Sequence, residues 1–128
     1  MANRFSETLM EHFLEPRNRG TLEHPDGTGV SGVPGRGPFF VFQLTCTDGV
    51  IVQARFNCHN CGVNVASGSV LTELVQNKRL DEAIQISASD IEKSLGGIPV
   101  DKRHVPETAI AALRQAISEV NLTFENRT

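Results

Sequence analysis

The chain has 128 residues, of which 39% are hydrophobic and 21% charged, and its formal net charge is -3. That length suits one domain built on one core, and the charge argues against nucleic acid, whose phosphates need clustered Lys and Arg. No apolar run approaches a membrane span. Three cysteines, an odd number behind no signal-peptide pattern, fit a reducing cytoplasm rather than a disulfide scaffold.

In chain order, the first element is a short amphipathic helix over 3–15. Phe5, Leu9, Met10, Phe13 and Leu14 recur at helical spacing, and Pro16 ends it. Residues 19–38, rich in glycine and proline, are read as one long loop. Such a loop in a small domain is functional or irregular, and it lacks the Gly-Lys-Ser/Thr ending of a phosphate loop. A hairpin follows over 39–47 and 50–57, turned by Thr47-Asp48-Gly49. Phe40, Phe42, Leu44 and Cys46 alternate onto one face, which makes Cys46 a core cysteine.

The next helix spans 63–77, with Val70, Leu71, Leu74 and Val75 as its apolar stripe. Ala66, Ser67 and Gly68 allow a close neighbour. Short helices at 80–86 and 87–95 come next, the second stopped by Gly96-Gly97. A final helix covers 106–120, opened by Pro106 and facing the core through Ala109, Ile110, Leu113, Ile117 and Val120. The order predicts an α+β fold, a small antiparallel meander covered on one face by helices. It forms a single domain over 1–128 with a frayed tail at 121–128.

The chemistry concentrates in Phe56-Asn57-Cys58-His59-Asn60-Cys61-Gly62, between a strand and a helix. A thiol at a helix N-terminus sits among unpaired amides that favour its thiolate, the form that binds metal and attacks disulfides. Cys61 and Cys58 are the candidate ligands. His104, just before the last helix, can meet the Cys61 turn at one end of the sheet. His12 and His24 are read as solvent-facing. No Ser-His-Asp set, carboxylate pair or nucleotide loop appears, so a carrier or interaction protein is expected rather than an enzyme.

Several blocks, in order, resemble a known family. They are Glu15-Pro16-Arg17-Asn18-Arg19-Gly20, Gly27-Thr28-Gly29-Val30, Gly32-x-Pro34, and Ala54-Arg55-Phe56 through Cys61-Gly62. After them come Ala66-Ser67-Gly68-Ser69, Leu71-Thr72-Glu73-Leu74-Val75, and Leu95-Gly96-Gly97-Ile98-Pro99 with Lys102-Arg103-His104. On these the chain resembles the NifU-like (IscU-type) iron–sulfur cluster assembly scaffolds. The resemblance implies three cysteines, an aspartate and a histidine at the site. Cys61 falls on the second cysteine and His104 on the histidine. Arg36 stands at the first cysteine, Pro38 at the aspartate and Val105 at the third cysteine.

Arg36 is a permanent cation and Val105 has no donor atom, so a four-ligand cluster on one copy is not expected. Three expectations remain open. One is an unconventional iron, zinc or cluster site on Cys61, Cys58 and His104, in one form shared across a homodimer. Another is a cluster-free docking or regulatory module. The third is a sulfur acceptor in which Cys61 carries persulfide and Cys58 resolves it. The resemblance also implies a cysteine desulfurase-type sulfur donor as partner. Ile98-Pro99-Val100-Asp101 only partly matches the family's Leu-Pro-Pro-Val-Lys chaperone motif, which argues against a chaperone. No nucleic acid or membrane partner is expected.

Overall fold

A computed structural model describes residues 5–33, 35–59 and 61–127, with side chains through 122. The expected helix start at Asn3, and Pro34 in the glycine-rich stretch, lie outside the described residues. Helix α1 (Glu7–Leu14) begins at Ser6, whose Oγ accepts from the Leu9 amide. Three antiparallel strands follow, β1 (Gly27–Gly32), β2 (Phe39–Thr47) and β3 (Val50–Cys58), in the order β1-β2-β3. Then come α2 (Gly62–Val75), α3 (Leu80–Ala83), α4 (Ala88–Ser94), a 3-10 turn (Val100–Lys102) and α5 (Val105–Arg127). The α+β meander with helices is therefore the observed architecture, and α5 continues past residue 120 to Arg127.

The β2–β3 hairpin has Phe42 opposite Phe56, and its turn residues Asp48 and Gly49 both carry positive φ, as a type I′ turn requires. Phe40 stacks on Phe42 and Phe56 at centroid distances of 6.4 and 5.8 Å, in the centre of the core. Helix α2 lies on β3 through Gly68, where a Cβ would stand 2.2 Å from the Phe56 ring.

The 19–38 stretch is not one loop. Its middle is β1, paired with β2 from Gly27 opposite Leu44 to Gly32 opposite Phe39. The glycines that looked like loop composition serve packing instead. A Cβ on Gly29 would fall 1.7 Å from the Ala112 carbonyl oxygen, and one on Gly27 2.2 Å from that of Ala116. Backbone thus lies directly on the alanine face of α5. Both sheet edges are covered. The Val30 amide on β1 donates to Gln115 Oε1 at 2.6 Å. The outer edge of β3 exchanges bonds with Asn18 and Gly20 at Phe56, and with Asn77 and Lys78 at Ile51.

Candidate functional site

The end of β3, the start of α2 and the approach to α5 converge on a cleft of about 290 Å³. His59, Cys61 and Asn64 line it from the β3–α2 turn. Lys102, His104, Val105 and Thr108 line it from the α5 side, and Ser31, Gly32, Pro38 and Phe39 close it from the β1–β2 connection. Cys61 and His104, distant in sequence, thus share one space.

The turn explains the placement of Cys61. The His59 amide still holds the sheet, donating to the Phe39 carbonyl at 3.1 Å. The Cys61 amide then donates back to the His59 carbonyl at 2.8 Å, and the chain reverses. Cys61 is the N-cap of α2, extended at φ -134 and ψ 139, with its carbonyl accepting from Val65 at 2.9 Å. Its side chain makes no capping bond and it is partly exposed. The α2 N-terminus thus has no side-chain cap from Cys61 and no acidic residue in its first turn.

The other two cysteines differ. Cys58 ends β3 on the inward face that Ala54 and Phe56 also occupy, and is 3% exposed. Burial pushes its thiol up to about 11, with Arg19 pulling weakly the other way. Cys46 is half-buried beside the irregularity at Thr45/Cys46. Burial and then the Asp26 charge push its thiol up to about 11 as well.

Among the positions the family resemblance assigned to ligands, Pro38 and Val105 do line the cleft, but carry no donor. Arg36 is exposed and is not part of the lining. Among the described residues no group of three or more His, Cys, Asp or Glu is arranged to hold a metal ion. The donor set at the cleft is one thiol, two imidazoles, a carboxamide and two hydroxyls, beside the Lys102 ammonium, which has no lone pair to give. This does not fit a cluster that takes four mostly thiolate ligands from one copy.

Asn64 escaped the sequence reading. It lies between Val63 and Val65 in the first turn of α2, and a carboxamide inside an apolar run was the available signal. It is 7% exposed yet faces the cleft. His12 was misjudged as solvent-facing. It is 6% exposed, with Nδ1 2.7 Å from Ser69 Oγ and 3.1 Å from an Arg17 guanidinium nitrogen. Packing of α1 on α2 buries it.

An α+β domain with a cysteine cleft where strand meets helix is the class that this geometry defines. The chain belongs to the family of the NifU-like N terminal domain, whose model matches residues 4–125. It is similar to the iron–sulfur cluster assembly scaffold protein IscU of Escherichia coli, 38% identical over 119 residues that cover 90% of this chain and 92% of the relative. The IscU scaffold protein of Aquifex aeolicus is 35% identical over 121 residues, 93% of this chain and 77% of that one. Among solved structures, a NifU-like N-terminal protein from Brucella abortus superposes with a TM-score of 0.74 at 17% identity, covering 91% of this chain and 94% of the other. A scaffold described as putative for the SUF system of Fervidobacterium islandicum gives 0.72 at 16% identity, covering 88% and 96%. At those identities the structures speak for the fold. No helix among the described residues is long and apolar enough to cross a membrane.

Proposed function

We propose that this chain serves iron–sulfur cluster assembly as a scaffold-type carrier, not an enzyme, and handles its metal or sulfur cargo at Cys61 with His104 as second donor. One observation carries the reading: Cys61 and His104, distant in sequence, line the same cleft, and the Cys61 side chain is not spent on capping α2. Relatives named as assembly scaffolds over most of the chain support the pathway. Thiolate with imidazole suits iron or zinc. Cys58 joins as a third donor only where metal displaces its proton, since a ligating thiol must be deprotonated. The remaining positions are filled from outside the chain, by solvent, a second copy or a cysteine desulfurase-type sulfur donor.

The test is iron, zinc and acid-labile sulfide content of untagged protein purified without oxygen, beside Cys61→Ala and His104→Ala. The expected outcome is bound metal in the native chain, its loss in Cys61→Ala, and weaker retention in His104→Ala. Full metal and sulfide content in Cys61→Ala would overturn the assignment. A second reading draws on Cys61 being the thiol that opens on the cleft: it accepts sulfur as a persulfide without resident metal. That reading expects neither metal nor sulfide, and a sulfur adduct on Cys61 after mixing with a persulfide donor.

A further inference from the structure

Among the described residues no carboxylate lines the Cys61 cleft, whereas the ammonium of Lys102 and the imidazoles of His59 and His104 do. Cys61, the N-cap of α2, and Asn64 in its first turn bring that helix's N-terminus to the same cleft. Asn64 lines the same space. This buried carboxamide makes a single, long hydrogen bond, from Nδ2 to the His59 carbonyl at 3.5 Å. Its Oδ1 accepts from no described residue. That oxygen is not one of the buried side-chain atoms left without a partner, of which Ser67 Oγ is the one described, and it opens on the cleft that Asn64 lines. Ammonium, helix N-terminus and carboxamide together recognise a carboxylate with its neighbouring amide. Of the three cysteines, Cys61 is the one that lines this space, and Cys58 is sealed behind it.

We infer that the cleft takes a small carboxylate-bearing disulfide, and that Cys61 captures half of it as a mixed disulfide, with Lys102 and Asn64 selecting the anionic partner. This rests on the reading of Cys61 as the working thiol of the cleft. The Cys61 thiolate attacks one sulfur of the disulfide. A new S–S bond forms as the old one breaks, and the departing half leaves as a thiolate that takes its proton from water. One disulfide replaces another, so no outside oxidant is consumed. Buried Cys58 does not resolve the adduct, which persists until an external thiol attacks it. Meanwhile Cys61 is withdrawn from metal.

The whole-molecule charge of -3 favours the opposite choice, because it repels anions. Preference for an anionic disulfide therefore reports the cleft itself. The experiment uses reduced, metal-free protein with oxidised glutathione, neutral 2-hydroxyethyl disulfide and cationic cystamine at low salt. Rates are read by intact mass and peptide mapping, each normalised to the same disulfide reacting with a small reference thiol. Oxidised glutathione is expected to modify Cys61 about tenfold faster than cystamine on this scale. Lys102→Glu is expected to invert the order, and Cys58→Ala to leave the adduct's lifetime unchanged. Equal normalised rates, an order that survives Lys102→Glu, or modification centred on Cys58 or Cys46 would overturn the inference. Because the protein is metal-free, these outcomes are independent of the metal content of Cys61→Ala, which tests the function itself.

Discussion

The polar side chains around Ser69 on helix α2 and those at its start are treated oppositely by their surroundings, while Ser67 Oγ between them is buried without a described partner. In the middle of α2, Ser69 Oγ accepts from the Arg17 amide at 2.9 Å and meets His12 Nδ1. Thr72 Oγ1 accepts from Asn18 Nδ2 at 3.0 Å and donates to the Ser69 carbonyl at 2.7 Å. Arg55 completes the cluster by donating to Asn18 Oδ1 at 3.0 Å. At its start, Cys61 makes no capping bond and Asn64 makes one long bond. A fully paired cluster fixes structure, because each member penalises loss of its partner. A cluster left facing open space is available for ligands. Substitutions in the two places should therefore separate stability from function.

The largest stability effect is expected from Ser69→Ala. Ser69 is fully buried, and its hydroxyl joins the chain after α1 to the imidazole of α1. Truncation leaves the Arg17 amide and one lone pair of His12 without that partner. A cost of about 2 kcal/mol is expected, read as a lower urea midpoint with unchanged slope. A cost within about 0.5 kcal/mol, the range of ordinary surface changes, would mean that the middle cluster is not the structural one.

The next effect is a pH dependence centred on His12. Arg17 can only donate, so its contact with Nδ1 requires that nitrogen to be unprotonated. The ring proton then sits on Nε2, 3.6 Å from Glu73 Oε1. Burial first, and then the Arg17 charge, hold the imidazolium below its ordinary 6.5, against opposing pulls from Glu73 and Glu11. With the folded value depressed, both states are neutral above 6.5 and stability is flat there. As pH falls below 6.5, the unfolded chain takes a proton that the folded chain refuses. Stability then drops, with a slope of at most about 1.4 kcal/mol per pH unit. His12→Gln should flatten that slope between pH 5 and 7. Glu11, whose carboxyl the Arg17 hydrogen bond and charge hold below 4.5, acts at lower pH and leaves this window clear. An unchanged slope in His12→Gln would assign the titration elsewhere.

The same contrast explains what was legible in the sequence. Alternating Phe40, Phe42 and Leu44, the Asp48-Gly49 turn and the periodic helices follow local rules and all appear, the helices with shifted ends: α1 starts at Glu7, α3 stops at Ala83 and α5 runs on to Arg127. Cys61 at a helix start was legible because it depends on its immediate neighbours. Strand β1 was not, because Gly27 and Gly29 are dictated by the backbone of α5, more than eighty residues on. Composition cannot distinguish a glycine needed for close approach from one needed for a turn. Gly35 and Gly37, at positive φ with nothing near their missing Cβ, are of the second kind in the same stretch. His12 and Asn64 escaped for a related reason. Whether a polar residue is paired or left open depends on what a distant element brings to it.

The smallest stability effect is expected at the cleft, from Cys61→Ser and His104→Ala. Cys61 is partly exposed, caps nothing through its side chain, and serine is itself a favoured N-cap. His104 is exposed and precedes α5, whose first residue, Val105, holds the apolar contact at 6% exposure. Neither change leaves a buried donor or opens a cavity, so each should shift stability by less than about 0.5 kcal/mol. Within that range Cys61→Ser is expected to gain slightly, through a bond from an α2 amide to its hydroxyl. Paired urea melts and metal contents on the same preparations decide the matter. Loss of metal at native stability would mark a site whose side chains were never needed to hold the fold. A destabilisation above about 1 kcal/mol in either variant would instead make the cleft a structural cluster like the one around Ser69.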